Sequence, residues 1–148
     1  MAIKDQLRQA PAYKSDVEQL HKFKELFCKN HNNSMLLNKY FSFGTSSMQI
    51  PVKFIWNDSF SGEQTKSFSP VFDAMGSKYN VGVCLARIAC YMDLAGDGIK
   101  HACKYMQQAA WIFEDLKKDV ASLKPGETSS DFTAEALSCL SALMLAQS

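Results

Sequence analysis

Two long apolar helical patterns separated by a three-residue break constrain the fold of this 148-residue chain more than any other feature. The first runs near 70–95 and begins at Ser69-Pro70, where serine is placed as the N-cap and proline as the first helical residue. Gly96-Asp97-Gly98 ends it, and the second pattern runs near 98–123. Because the connection is so short, the sequence predicts an antiparallel helical hairpin.

Two further helical segments precede this hairpin. Ser15-Asp16-Val17-Glu18 matches a capping box, in which the serine and the glutamate satisfy backbone donors at a helix start. The apolar spacing that follows predicts a helix near 14–30, which Asn30-His31-Asn32-Asn33 ends. Ser34 is then placed as the cap of a short helix through Tyr40. The sequence therefore predicts two helices in this part of the chain.

The last helical segment follows a cap at Ser130 or Asp131 and is still apolar at Leu143-Met144-Leu145, close to the last printed residue. Taken together, the helical patterns predict one domain over 1–148 with a mainly α fold. The expected architecture is a tetratricopeptide-like array of antiparallel helical hairpins, with one or two short β-strands near residues 49–57.

The strand prediction rests on a change of period. Apolar side chains occupy every second position over residues 50–56, which is typical of a β-strand. A strand needs a partner, and the candidates are residues 3–7 and the region around Phe43, while 61–67 is predicted as a polar loop. We expect Trp56 to be a core anchor and Asp58 to bind the backbone where the strand ends.

Composition and charge exclude several functional classes. The chain is 47% hydrophobic and 21% charged, with a net charge of +1 and a pI of about 7.6. Proteins that bind nucleic acids carry a clustered basic face, which the scattered lysines do not form. No stretch approaches the roughly 18 consecutive apolar residues of a membrane-spanning helix. The five cysteines are odd in number and lack disulfide spacing, which indicates a reducing compartment, the cytoplasm.

No residue pattern predicts catalysis or a bound cofactor. His101 and Cys103 lie two apart on a predicted helix, so their side chains diverge and cannot form a base–nucleophile pair. Cys28 and His31 have metal-like spacing, but a structural zinc needs four ligands and only His21 is nearby. We therefore predict a protein that is not an enzyme and has no metal or cofactor.

Four blocks of sequence, in order, resemble the N-terminal part of a Bro1 domain, and the resemblance covers residues 13–147. No block is a catalytic motif. The blocks are Phe54-Ile55-Trp56-Asn57-Asp58-Ser59-Phe60, Tyr79-Asn80-Val81-Gly82, Gln107-Gln108-Ala109-Ala110 with Phe113 and Leu116, and Leu143-Met144-Leu145-Ala146-Gln147.

The resemblance implies a protein-binding adaptor. In this family a small sheet packs on a curved helical array, and a groove binds the amphipathic C-terminal helix of an ESCRT-III subunit in endosomal sorting or membrane remodelling. Asp97 and Lys100 match positions near the polar edge of the groove, and Leu137, Leu140 and Met144 lie on the helix that borders it. The resemblance also implies a cytoplasmic protein recruited to endosomes, with peripheral membrane association as an option.

The chain also departs from the family pattern. Trp111 stands where the family usually has glycine, and because it follows Ala109-Ala110 we predict a core position, while an exposed side chain there would mark a partner contact. A family domain is considerably longer, so the last helix lacks its usual neighbours. The alternative function is therefore a self-associating structural protein that buries this apolar face in a homodimer.

Overall fold

The computed structural model describes residues 11–123 and 129–148, and within them the side chains from residue 16 onward. It confirms the predicted mainly α fold with short strands. The elements in chain order are α1 (Pro11–Tyr40), β1 (Phe54–Asn57), β2 (Gln64–Ser67), α2 (Pro70–Tyr91), α3 (Asp97–Val120), a 3₁₀-helix (Ser130–Phe132) and α4 (Ala134–Ala146).

Consecutive helices pack against each other as antiparallel pairs. Ser34, late in α1, hydrogen-bonds Asp73 in the first turn of α2, whereas Leu20, early in α1, packs against Ile88 near the end of α2. Lys117 at the end of α3 donates to Ser138 at the start of α4. The main apolar core lies between α2, α3, α4 and the 3₁₀-helix, and its most buried large side chains are Phe72, Phe113, Phe132, Met75, Leu116 and Leu137.

The predicted break in the first helix is wrong. α1 is one continuous helix of 30 residues, already helical before Ser15, so the predicted capping box does not mark a helix start. The polar residues that suggested a break instead bind α2: Asn30 donates to Asp73 and Ser77, and the hydroxyl of Ser34 donates to Asp73. Polar side chains satisfied by a neighbouring helix leave the backbone hydrogen bonds of their own helix intact.

The strand finds its partner in the segment predicted as a polar loop. β1 and β2 form an antiparallel hairpin in which Phe54 is opposite Ser67 and Asn57 is opposite Gln64. Phe43 makes a single bridge with Ile50, while the candidate partner at residues 3–7 lies outside the described residues. β2 was not predicted from the sequence because its side chains are polar, and they are polar because this edge of the hairpin faces solvent.

The start of α2 is confirmed with Ser69 as N-cap and Pro70 in the first turn, although the hydroxyl of Ser69 makes no capping hydrogen bond. The turn into α3 depends on Gly96, whose φ of +57° lies in the left-handed region that favours glycine. α2 ends at Tyr91 and α3 begins at Asp97, so the connection is longer than the sequence predicted.

Gly82 lets α2 and α3 approach closely, and we expect its replacement by alanine to destabilise the protein. A Cβ at this position would lie 2.9 Å from Cζ of the buried Phe113 ring. Crowding a packed core costs about 1–3 kcal/mol, against a gain of up to about 1 kcal/mol in helix propensity. Urea denaturation of Gly82→Ala should therefore show a lower free energy of unfolding. In a Phe113→Leu background the same change should cost less, and an equal cost in both backgrounds would exclude the ring contact as the cause.

Candidate partner-binding site

Two of the three leucine and methionine residues predicted on the partner surface lie in the core. Leu137 and Met144 are buried on the side of α4 that packs against α3, and Leu140 is half-buried beside them. They attach α4 to the rest of the fold. A side chain that is already covered by the core cannot also contact a partner without rearrangement.

Two apolar residues of α4 outside its buried side remain about half exposed in the described structure. Leu143 is 48% exposed and Leu145 is 55% exposed. Leu143 lies one helical turn from the half-buried Leu140, so these two residues form a continuous apolar strip, which we call the α4 ridge. α4 is apolar on every side, but only one side packs against the rest of the fold. Its remaining apolar surface is therefore available for contact with a partner.

Asp97 and Lys100 face each other in the first turn of α3. The Lys100 Nζ donates to the Asp97 Oδ1 at 2.9 Å, and both side chains are largely exposed. An exposed ion pair of this kind contributes at most about 1 kcal/mol to stability. Its charges therefore remain free to exchange partners with a bound protein.

The two halves of the predicted site lie apart. α3 has 24 residues and α4 has 13, which correspond to lengths of about 36 Å and about 20 Å. The contact between Lys117 and Ser138 aligns the end of α3 with the start of α4. Because the helices are antiparallel, α4 stops about 16 Å short of the Asp97–Lys100 pair. The structure thus brings Asp97 and Lys100 together but separates them from the α4 ridge.

Trp111 is exposed, and the prediction that it lies in the core is wrong. Its side chain is 64% exposed and forms a shallow cleft of about 310 Å³ with Leu85, Gln108 and Ile112. Two positions along a helix differ by about 200°, so Trp111 points away from the core if Ala109 and Phe113 point into it. The core position was predicted because the neighbouring residues in sequence are apolar, which does not determine the direction of the Trp111 side chain.

Two buried carboxylates hold the hairpin to the 3₁₀-helix. Asp58 accepts hydrogen bonds from the hydroxyls of Ser129 and Ser130 and from the backbone N–H groups of Phe60, Ser61 and Asp131. This confirms that Asp58 binds the backbone where β1 ends. Burial alone would raise the pKa of Asp58, but these hydrogen bonds outweigh it and hold the pKa well below its usual range.

Asp131 is the second carboxylate, and its predicted role as a helix cap is wrong. Its Oδ2 accepts from Trp56 Nε1 at 2.8 Å and from the Ser59 N–H at 2.7 Å, and its Oδ1 accepts from the Tyr79 hydroxyl at 3.3 Å. Burial, with the charge of Asp131, raises the pKa of Tyr79 to about 12. The cap of α4 is instead Thr133, whose Oγ1 accepts from the Ala136 N–H.

These carboxylates have the contacts of a structural network. Within the ranges whose side chains are described, every buried side-chain nitrogen or oxygen has a hydrogen-bond partner. The same ranges contain no cluster of three potential metal ligands. Sequence reasoning missed Asp131 because its partners lie 52 to 75 residues away.

Among the described helices, none is long and apolar enough to cross a membrane. Near the predicted site, the described surface carries the α4 ridge, the exposed Trp111 and the Asp97–Lys100 pair.

Comparison with known proteins identifies the family. The family model for the BRO1-like domain matches residues 2–148. The chain is similar to ALG-2 interacting protein X of Dictyostelium discoideum, with 33% identity over 116 residues, covering 77% of this chain and 14% of that protein. It is also similar to apoptosis-linked gene 2-interacting protein X 1 of Caenorhabditis elegans, with 32% identity over 110 residues, covering 69% and 12%. No solved structure matches the chain significantly.

Proposed function

Because the chain belongs to the BRO1-like domain family, we propose that it is a non-catalytic adaptor that binds an amphipathic helix of an ESCRT-III subunit. It would work in the cytoplasm and reach endosomes through that partner, with any membrane contact peripheral. The chain spans only 14% and 12% of the two relatives, whose names describe proteins that interact with another protein. The observation that carries the proposal is the exposed α4 ridge.

The α4 ridge suits a partner helix with apolar residues three or four positions apart. Such a helix would lie along α4 with its anchors against Leu140 and Leu143. Leu137 and Met144 support the ridge from the core side without contacting the partner. A partner helix that continued for about three turns past the end of α4 would reach Asp97 and Lys100, whose charges would then set its orientation.

Titration of a fluorescent peptide with the sequence of an ESCRT-III C-terminal helix tests this proposal. We expect saturable binding to the monomer. Leu143→Ser should weaken it at least about tenfold, because the change removes an exposed apolar anchor. Asp97→Ala or Lys100→Ala should weaken it less, by about two- to fivefold, and reduce its dependence on salt.

Leu26→Ser is the matched control, because Leu26 is at least as exposed as Leu143 but lies on α1 and not on α4. It should leave the affinity unchanged. Absence of binding by a folded monomer, or an equal loss in Leu26→Ser and Leu143→Ser, would contradict the proposal.

The second candidate is self-association through the same surface. The exposed Leu143 of the α4 ridge favours it, since exposed apolar surface is commonly buried in oligomers. Light scattering over a range of concentrations distinguishes the two functions: a dimer that Leu143→Ser converts to a monomer would support self-association, and a monomer at all concentrations would exclude it.

A further inference from the structure

A groove of about 680 Å³ lies in a part of the surface to which α4 contributes no lining residue. It is formed by the end of α1, the segment before β1, the start of α2 and the end of α3. We call it the α1–α2 groove, and the residues that matter for its chemistry are Lys39, Tyr40, Phe41, Phe43, Phe68 and Val71.

Aromatic side chains at the groove are largely uncovered. Tyr40 is 67% exposed and Phe41 is 54% exposed, although they are consecutive residues at the end of a helix. Phe43 and Phe68 continue the aromatic lining into the groove. Exposed aromatic residues beside a concave surface are typical of sites where a partner buries a few dominant anchors. The groove can therefore bind an apolar side chain of a partner.

Two lysines place positive charge beside the aromatic lining of the groove. The Nζ of Lys39 lies 5.3 Å from the centre of the Tyr40 ring, and the Nζ of Lys53 lies 5.2 Å from the centre of the Phe68 ring. Cation–π contacts at these distances hold both ammonium groups beside the aromatic lining. In the described structure neither lysine pairs with a carboxylate, and no lining residue is acidic.

The sequence around Lys39 and Lys53 contains few acidic residues that could offset their positive charge. No aspartate or glutamate occurs between Glu25 and Asp58, and Asp58 itself is buried and fully occupied by hydrogen bonds. An anionic partner would thus meet two cations and no repulsive carboxylate in this segment.

We infer that the α1–α2 groove binds an acidic peptide segment that carries one aromatic or large aliphatic anchor. The anchor would enter between Tyr40, Phe41 and Phe68, and flanking carboxylates would pair with Lys39 and Lys53. A concave surface of this volume fits an inserted side chain better than the flat face of a bilayer. The site does not use α4, so it is independent of the helix-binding function proposed above.

A peptide array tests the inference. One set of labelled peptides carries glutamates around each aromatic or large aliphatic residue in turn, and a second set has glutamine in place of every glutamate. We expect the wild-type chain to bind members of the acidic set at least about tenfold more tightly than their glutamine counterparts. Equal binding of the two sets, or no binding to either, would overturn the inference.

Variants of the chain locate the site. Combined Lys39→Glu and Lys53→Glu should abolish the preference for the acidic set, and combined Tyr40→Ser and Phe41→Ser should weaken binding at least about tenfold. The matched controls are Lys104→Glu and Trp111→Ser, an exposed lysine and an exposed aromatic residue on α3, which should leave affinity unchanged. An equal loss in the controls would contradict the assignment.

Vesicles distinguish a peptide from a membrane. Sedimentation with phosphatidylcholine vesicles, with and without phosphatidylserine, should show no binding that depends on Tyr40 and Phe41. If these residues mediate binding to the anionic vesicles while the acidic peptides do not bind, the groove region is a lipid-binding surface and the peptide inference is wrong.

Discussion

Replacing Asp58 with alanine is expected to lower the free energy of unfolding by about 3–5 kcal/mol. The change removes the common acceptor of two serine hydroxyls and three backbone N–H groups. Two of these donors, the Ser129 hydroxyl and the Asp131 N–H, are buried and would be left without a hydrogen-bond partner. Urea denaturation at neutral pH, followed by circular dichroism, measures the effect.

Asp97→Ala is the matched control, since its carboxylate is exposed and bonded only to Lys100. It should change stability by less than about 0.5–1 kcal/mol. A cost for Asp58→Ala that is no larger than that of the control would show that the hydrogen bonds of Asp58 do not hold the hairpin in place.

The same carboxylate predicts a pH dependence of stability. Its pKa in the folded protein lies below the ordinary value of 3.8, so the folded state binds the proton more weakly than the unfolded chain. The stabilisation is therefore fully present above about pH 4 and is lost as the pH falls below 3.8 towards the folded pKa. The asparagine in Asp58→Asn cannot titrate, so this variant should show a smaller fall in the free energy of unfolding as the pH drops. An unchanged fall in Asp58→Asn would show that other carboxylates cause the pH dependence.

Local patterns predicted the helical part of this fold well. The apolar spacing of α2 and α3 and the proline at the start of α2 depend only on nearby residues, so the sequence is sufficient for them. The single helix α1 is different. Asn30 and Ser34 resemble a break and a cap until α2 is in place, because their hydrogen-bond partners are 39 to 47 residues away.

The candidate site shows the same limit. α4 is apolar all round, so no periodicity indicates which side packs on α3, and the predicted surface residues Leu137 and Met144 lie in the core while Leu143 is exposed. Asp97 and Lys100 were assigned to the partner surface by the family resemblance, and both side chains are exposed. Their role in binding a partner stays a prediction.

Replacing Phe132 with alanine is the second substitution for which we expect a large effect, again about 3–5 kcal/mol. Phe132 is fully buried, and its ring lies 5.0 Å from Trp56, 5.7 Å from Phe72 and 5.9 Å from Tyr79, measured between ring centres. The residue therefore joins the hairpin to α2 immediately before α4 begins. Its removal leaves a cavity that these rings cannot fill without moving.

Fluorescence can show which contact is lost, because the chain has two tryptophans with different environments. In a Trp111→Phe background, Trp56 is the only tryptophan and can be excited selectively. Its ring packs on Phe132, and its Nε1–H donates to Asp131. Phe132→Ala should shift its emission to the red in the native state and move the urea midpoint to lower concentration.

Phe60→Ala provides the matched control, since Phe60 is largely exposed and should change neither quantity. If Phe132→Ala lowers the midpoint without shifting the emission, the hairpin has stayed docked, and the lost stability lies in the packing of the 3₁₀-helix on α2. If both change, Phe132 attaches the hairpin to the helices. In that case the α4 ridge, which begins only eight residues later, should lose affinity for its helix because the support at the start of α4 is disturbed.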